Sequence, residues 1–230
     1  MRLNIITELE QRLDEQARMD FAFLYSEATS LLSVGYNCDT NMPDKSHYDL
    51  LPSEIRLTSF LAIATNQLPL KSWYALGRLF TTIDHETALM SWSGSMFEYL
   101  MPNLVMPTWP GSLLDEMSQS AVKRQIHWGK ERGVPWGVSE SGYHAFDVQH
   151  NYQYQAFGVP GLGLRRGLAD DMVIAPYATL LALMVSPHKA CDNLLSLEKN
   201  GARGEYGFYE ALDYTPSRLA TGQLYAIVQS

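Results

Sequence analysis

Apolar residues recur at helical spacing through most of the chain. Residues 3–19 place Ile6, Leu9, Leu13 and Ala17 three or four positions apart, which predicts an amphipathic first helix. "FAFLYSEATSLLSVGYN" carries two short extended runs around Ser-Glu-Ala-Thr and reads as a small hairpin. Pro52, followed by Ser53 and Glu54, opens a second helix that continues through "IRLTSFLAIA". "LKSWYALGRLF" is a third, and "SMFEYLMPNLV" a fourth that Pro102 ends or kinks. The strongest period lies in "SLLDEMSQSAVKRQIHWGKERG", with Leu114, Met117, Ala121 and Ile126 on one face and Gly133 as the stop. "PYATLLALMVS" and "PHKACDNLLSLEKNG" are two more helices, each opened by a proline. The tail "FYEALDYTPSRLATGQLYAIVQS" returns to short extended pieces.

Residues 133–170 break this rhythm, being rich in Gly, Gln and aromatics with no helical period. An irregular segment of that length inside a domain is usually functional, and its aromatics argue for order. No internal repeat and no low-complexity linker divides the chain. Residues 1–230 are therefore expected to form a single, mainly α domain with one face built from loops.

Charge narrows the partners. Seventeen Lys and Arg against 25 Asp and Glu give a net charge of −8, which disfavours nucleic acid and an anionic membrane surface. A neutral ligand fits better. Cys38 and Cys191 make no disulfide framework, no Asn-x-Ser/Thr acceptor occurs, and the N-terminus has charges throughout rather than an apolar leader. The most apolar stretch, Met172 to Val185, contains Pro176 and is too short to span a bilayer. A reduced cytoplasmic domain is the expectation.

Several motifs begin and fail. "DHETAL" opens like a zinc signature, but Leu89 stands where the second histidine belongs, so two imidazoles do not share a helical face. "GVPGLGLRRG" spaces Gly161, Gly163 and Gly167 wrongly for a dinucleotide loop. No P-loop and no GxSxG elbow is present. No metal and no cofactor is expected.

Carboxylates among aromatics remain. Sugar rings stack their C–H faces on flat side chains, and their hydroxyls pair with Asp, Asn, Gln and Arg. Trp73 and Trp128, on helices, suit the core; Trp136, Tyr143, Tyr152 and Tyr154, in the irregular segment, suit a ligand. Glu8, Glu10, Asp14 and Glu15 lie on a solvated helix face, and Glu116, Glu131 and Glu198 are read the same way. Glu54, in a first helical turn, can serve the helix dipole or chemistry equally well. Glu140, inside "GVPWGVSESGY", has no helix to complement. Asp147, Asp170, Asp171, Glu210 and Asp213 sit in similar surroundings.

The blocks "SVGYN", "YDLLPSEIRLTSFLAIA", "SWSGSMFEYLMPNLVM", "GVPWGVSESGY", "NYQYQAFGVPGLGLRRGL", "DDMVIAPYAT" and "GARGEYGFYEALDYTPSR" resemble the glucoamylase-like domain of bacterial cyclic β-1,2-glucan synthases. The resemblance runs from about residue 20 to the C-terminus. It implies an all-α (α/α)6 toroid of two concentric helical rings, with short β-hairpins and a cleft formed by loops at one end. The seven helices read here fall short of two full rings, and a His-His-Gln-Gly-Met block expected after Ser230 is missing, so an incomplete toroid is expected.

The resemblance also implies β-1,2-glucan as the ligand. It implies membership of a larger, membrane-anchored synthase, whose transferase makes the linear chain while this domain closes it into a ring. Its catalytic glutamates fall in "LLxSExRLxSF" and "GxSESxY" blocks, hence on Glu54 and Glu140. Glycoside cleavage needs one group to protonate the leaving oxygen and one to attack or stabilise the anomeric carbon. Glu140 is assigned as nucleophile and Glu54 as general acid/base of a retaining transglycosylase. Arg56, Arg166, Gln155 and Asp171 join the four aromatics as candidate hydroxyl binders. An endo-β-1,2-glucanase and a non-catalytic glucan-binding module are the competing readings.

Overall fold

Seven α-helices stand close to where the apolar spacing places them, but among the described residues thirteen strands run between them. The computed structural model describes residues 2–83, 86–219 and 225–227. The chain divides into two units, Met1–Asp49 with Thr58–Leu76, and Leu50–Leu57 with Gly77–Ser230.

In the first unit, α1 (Arg2–Ala17) has an apolar stripe yet buries none of its residues. Its Arg12 and Glu8 pair at 2.8 Å across one turn. β1 (Tyr25–Ser26) and β2 (Leu31–Leu32) form the expected hairpin, and β3 (Tyr36–Asn37) and β4 (Met42–Pro43) form a second. From Thr58 onward α2 (Ile55–Ala64) belongs here, followed by Asn66 in the left-handed region at φ 59°. The Gln67 side chain ties that turn to Phe21 N–H and Met19 C=O, both at 2.8 Å. α3 is confined to Lys71–Ala75, shorter than the apolar pattern suggests.

The second unit opens with the turn Leu50–Glu54 and the start of α2, where Leu51 N–H donates to Gly77 C=O at 2.9 Å. β5 (Phe80–Ile83) pairs with β6 (Glu86–Leu89); Asp84 and His85 of the failed zinc motif lie outside the described residues. α4 (Met96–Leu100) passes into one 3-10 turn, Met101–Leu104, because Pro102 has no N–H to continue the α ladder. α5 (Leu113–Arg132) is capped by Ser112 and stopped by Gly133 at φ 67°, and it buries Met117, Ala121, Gln125 and Trp128. The stretch expected to be one long loop contains a hairpin, β7 (Glu140–Phe146) with β8 (Tyr152–Ala156). After β9 (Val173–Ile174), α6 (Pro176–Leu181) and α7 (Pro187–Lys199) both start on proline. β10 (Arg203–Gly204) and β11 (Gly207–Phe208) make another hairpin. β12 (Ala211–Asp213) lies between β9 and β13 (Tyr225–Ile227) in a three-stranded sheet.

The expectation of an all-α toroid is therefore overturned. Six small sheets occupy the connections among the described residues, five of them two-stranded. The physical reason is local: a connection with β-branched or aromatic residues around a tight turn satisfies its backbone by pairing with itself.

Glycine run 158–163 has a packing role rather than a phosphate-binding one. A Cβ on Gly158 would sit 1.7 Å from Ser93 C=O, and one on Gly163 would sit 2.5 Å from it. Only residues without a Cβ let this segment lie against Ser93 and Gly94.

Candidate active site

Glu54 stands just before α2, half-buried, with Ser53 Oγ–H donating to its Oε2 at 3.0 Å. Its position is set by Arg56, whose side chain is wholly buried. One terminal nitrogen of Arg56 donates to the carbonyls of Ser53 at 3.1 Å and Glu98 at 2.7 Å. The other donates to the carbonyl of Tyr99 and to Asn103 Oδ1. The guanidinium thus pins the Glu54 turn to the carbonyls of α4. Burial pulls its pKa down to about 10, against the charge of Glu54.

The motif "SWSGSMFE" builds the next layer. Glu98, in the first turn of α4 and buried, accepts from Ser91 Oγ at 2.8 Å, Ser93 N at 3.1 Å and Ser93 Oγ at 2.5 Å. It also accepts from Ser95 N at 3.0 Å and Ser95 Oγ at 3.1 Å, completing a capping box. A buried carboxylate with five donors is a satisfied one. It nevertheless places a negative charge beside the site.

Glu140 is delivered by an extended segment that pairs with side chains instead of a strand. The Asn193 amide accepts from Trp136 N at 3.1 Å and donates to Trp136 O at 2.7 Å. The Gln125 amide does the same for Val138, both bonds at 2.8 Å. Ser139 Oγ accepts from Phe97 N–H at 3.0 Å, and the Tyr177 hydroxyl donates towards Ser139 Oγ at 2.8 Å and Glu140 O at 2.9 Å. α4, α5, α6 and α7 thus each hold the segment at one or two points, which leaves Glu140 little backbone freedom.

The pleat of β7–β8 then sorts the candidates. Glu140 lies opposite Ala156 and Gly142 opposite Tyr154, so Glu140 and Tyr154 share a face. The Tyr154 hydroxyl donates to Glu140 Oε2 at 3.4 Å. Ser141 lies opposite Gln155 and Tyr143 opposite Gln153, on the other face. The free edge of β7 is met by carboxylates: Glu210 accepts from Gly142 N–H at 3.4 Å and Asp213 from His144 N–H at 3.0 Å.

Electrostatics join the two halves. The Glu140 carboxyl is pushed above the ordinary glutamate range, chiefly by burial, then by the charges of Glu54 and Glu98; the Tyr154 bond pulls the other way. The phenol of Tyr154 is pushed up to about 12, by burial first and then by Glu140 and Glu210, so it stays a donor. Among the described residues, no group of three or more His, Cys, Asp or Glu side chains is gathered as a metal would need.

The remaining sequence candidates divide. Trp136 is buried at 7% exposure, its Cα and Cβ against α5 at Gly129, so it packs rather than presents a face. Arg56 is committed to four oxygen acceptors and offers those donors to no ligand. Tyr152 stacks on Phe146 at 4.7 Å, and Arg166 is exposed. Tyr143, Gln155 and Asp171 converge on a residue the sequence reading passed over, Arg218. Its guanidinium pairs with Asp171 at 2.6 Å and Asp213 at 2.7 Å and lies 5.0 Å above the Tyr143 ring. Gln155 reaches Asp171 at 3.5 Å. Glu98 was also missed, although Ser95-x-x-Glu98 is a legible capping box. Arg218 had no local signal, because both its carboxylate partners are named only by the fold.

This scaffold is known. A structure titled "Endo-beta-1,2-glucanase from Chitinophaga pinensis - sophorotriose and glucose complex" superimposes at TM-score 0.65 with 17% identity, over 91% of this chain and 54% of the other. A "putative glucoamylase" from Bacteroides fragilis matches equally at 0.65 and 17%, over 91% and 53%. At such identities the likeness establishes the fold. The family described as "Putative glucoamylase" matches residues 46–230, and the chain belongs to that family. It is 48% identical, over 236 aligned residues, to cyclic beta-(1,2)-glucan synthase NdvB of Rhizobium meliloti (strain 1021). That match covers 99% of this chain and 8% of the relative's length. No helix among the described residues is long and apolar enough to cross a membrane.

Proposed function

We propose that this domain acts on β-1,2-glucan as a retaining transglycosylase, closing a linear chain into a ring. The observation that carries the reading is the placement of Glu140: half-buried, its backbone held by Tyr177 and its carboxylate bonded by Tyr154, with Glu54 among the charges that raise its pKa. Similarity to the cyclic glucan synthase supports the substrate and the ring-closing outcome.

In the proposed cycle, Glu140 attacks the anomeric carbon while Glu54 protonates the departing 2-oxygen, and a glucosyl ester forms. Glu54 then takes the proton from a distant 2-hydroxyl of the same chain as that oxygen attacks the ester. Bond types balance across the two steps, so no energy source is needed. A nucleophile must be ionised, and burial together with the charges of Glu54 and Glu98 raises the Glu140 pKa. Groups that stabilise the ionised form of Glu140 therefore assist turnover. Tyr154, by bonding the ionised form of Glu140, works in the same direction.

Glu140→Gln is expected to abolish turnover of linear glucan while leaving binding intact; retained turnover would rule out the assignment. Azide supplied to Glu140→Ala with an activated glucoside should yield a glucosyl azide of inverted configuration, and the same test on Glu54→Ala should retain configuration. A swapped result would exchange the two roles. A hydrolytic reading has one specific support, the fold shared with the Chitinophaga endo-glucanase. Mass spectrometry separates the readings, because rings are one water lighter than linear products.

A further inference from the structure

The β10–β11 hairpin turns on Glu205 and Tyr206, with Gly207 at φ 126°. At this turn the Tyr206 side chain is 97% exposed, so it adds almost nothing to the burial that holds the fold. Beside it lies an open pocket of about 660 Å³, bounded by Tyr177 and Leu180 of α6 and by Phe208, Tyr209 and Glu210. The pocket shares two walls with the proposed catalytic centre. Tyr177 donates to Glu140 O at 2.9 Å, and Glu210 accepts from Gly142 N–H at 3.4 Å.

Among the described residues the lining is aromatic and carboxylate, with Glu205 and Glu210 and no Lys or Arg. An anionic ligand would meet two negative charges there. An uncharged polyol meets rings for its C–H faces and carboxylates for its hydroxyls. We propose that this pocket is a remote subsite holding glucosyl units of the chain outside the bond being cleaved, with Tyr206 as its stacking platform. The proposal rests on the reading of this domain as β-1,2-glucan-active. A subsite there would keep the chain anchored while the bond at Glu140 is exchanged, which ring closure needs and single-step hydrolysis does not.

Linear β-1,2-glucan oligomers of increasing length are titrated calorimetrically into Glu140→Gln protein and into the same protein carrying Tyr206→Ala. Affinity should climb with length until the oligomer reaches the pocket. Tyr206→Ala should lower affinity for long oligomers about five- to tenfold, change that for the shortest binding oligomer less than twofold, and be rescued by Tyr206→Trp. Because Tyr206 is almost fully exposed, the variant should keep the parent melting temperature. No loss, or an equal loss at every length, overturns the subsite. Turnover of linear glucan by the wild-type protein tests the underlying reading separately: turnover with a flat length dependence sinks the subsite alone, and neither turnover nor binding sinks both.

Discussion

Tyr154 reaches across the β7–β8 pleat to donate its hydroxyl to Glu140 at 3.4 Å, although fourteen positions separate the two in the chain. The bond favours the ionised carboxylate against burial and two neighbouring negative charges. Tyr154→Phe should therefore raise the Glu140 pKa further, moving the acid limb of the pH–rate profile to higher pH. Turnover should fall about three- to tenfold, with melting unchanged within experimental error because Tyr154 is exposed.

The raised Glu140 pKa is also a statement about stability. A carboxyl whose folded pKa lies above its unfolded value favours the fold while protonated, and that contribution is lost as pH rises through the folded pKa. Glu140→Gln keeps the neutral shape at every pH. Its melting temperature should match wild type near pH 4 and exceed it at pH 7. Differential scanning calorimetry across that range checks the sign.

Asp213 behaves in the opposite sense. Burial would raise its pKa, but Arg218, Thr215 N–H and His144 N–H together hold it below the usual aspartate range. Its contribution is present above the unfolded value of about 3.9 and lost as pH falls through the folded one. Asp213→Ala leaves Arg218 with one carboxylate and removes the acceptor that meets His144 N–H at the edge of β7. A loss of about 3–5 kcal/mol in urea unfolding at pH 7 is expected, shrinking towards pH 3.

Glu98→Leu should destabilise by about 2–4 kcal/mol, since five donors lose one acceptor group together. Glu98→Gln should recover part of that. The Glu140 pKa should drop in both variants, because one of the charges raising it is removed. Carbon-13 NMR of labelled glutamate would report the shift.

Gly158→Ala tests the backbone contact at the serine-rich turn. With Ser93 C=O 1.7 Å from the added carbon, the two segments must separate. A loss above about 2 kcal/mol, or failure to fold, is expected, whereas Gly133→Ala should cost about 1 kcal/mol because only its positive φ is at stake. Denaturant midpoints of the two variants give the comparison.

Helix positions were legible wherever an apolar period met a proline or a glycine. Pro176 and Pro187 open α6 and α7, and Gly133 closes α5, through φ preferences that act within one or two residues. Glu54 and Glu140 stand out as candidates through the blocks that contain them, and their roles remain proposals. The strands were not, because two- to four-residue pairings leave too short an alternation to read. Trp136 illustrates the same limit within the site: a Trp between two glycines looks available, and only the packing of α5 and α7 encloses it.

The sequence by itself determined which residues can carry a proton, stack on a ring or stop a helix, because those properties belong to the side chain and its immediate neighbours. Tertiary structure alone decided that Glu140 shares its face with Tyr154 and its field with Glu54, while Tyr143, Gln155 and Asp171 gather on Arg218. Strand pleating assigns a side chain to one face by register, and electrostatic coupling follows distance in space; neither is written in the order of residues along the chain.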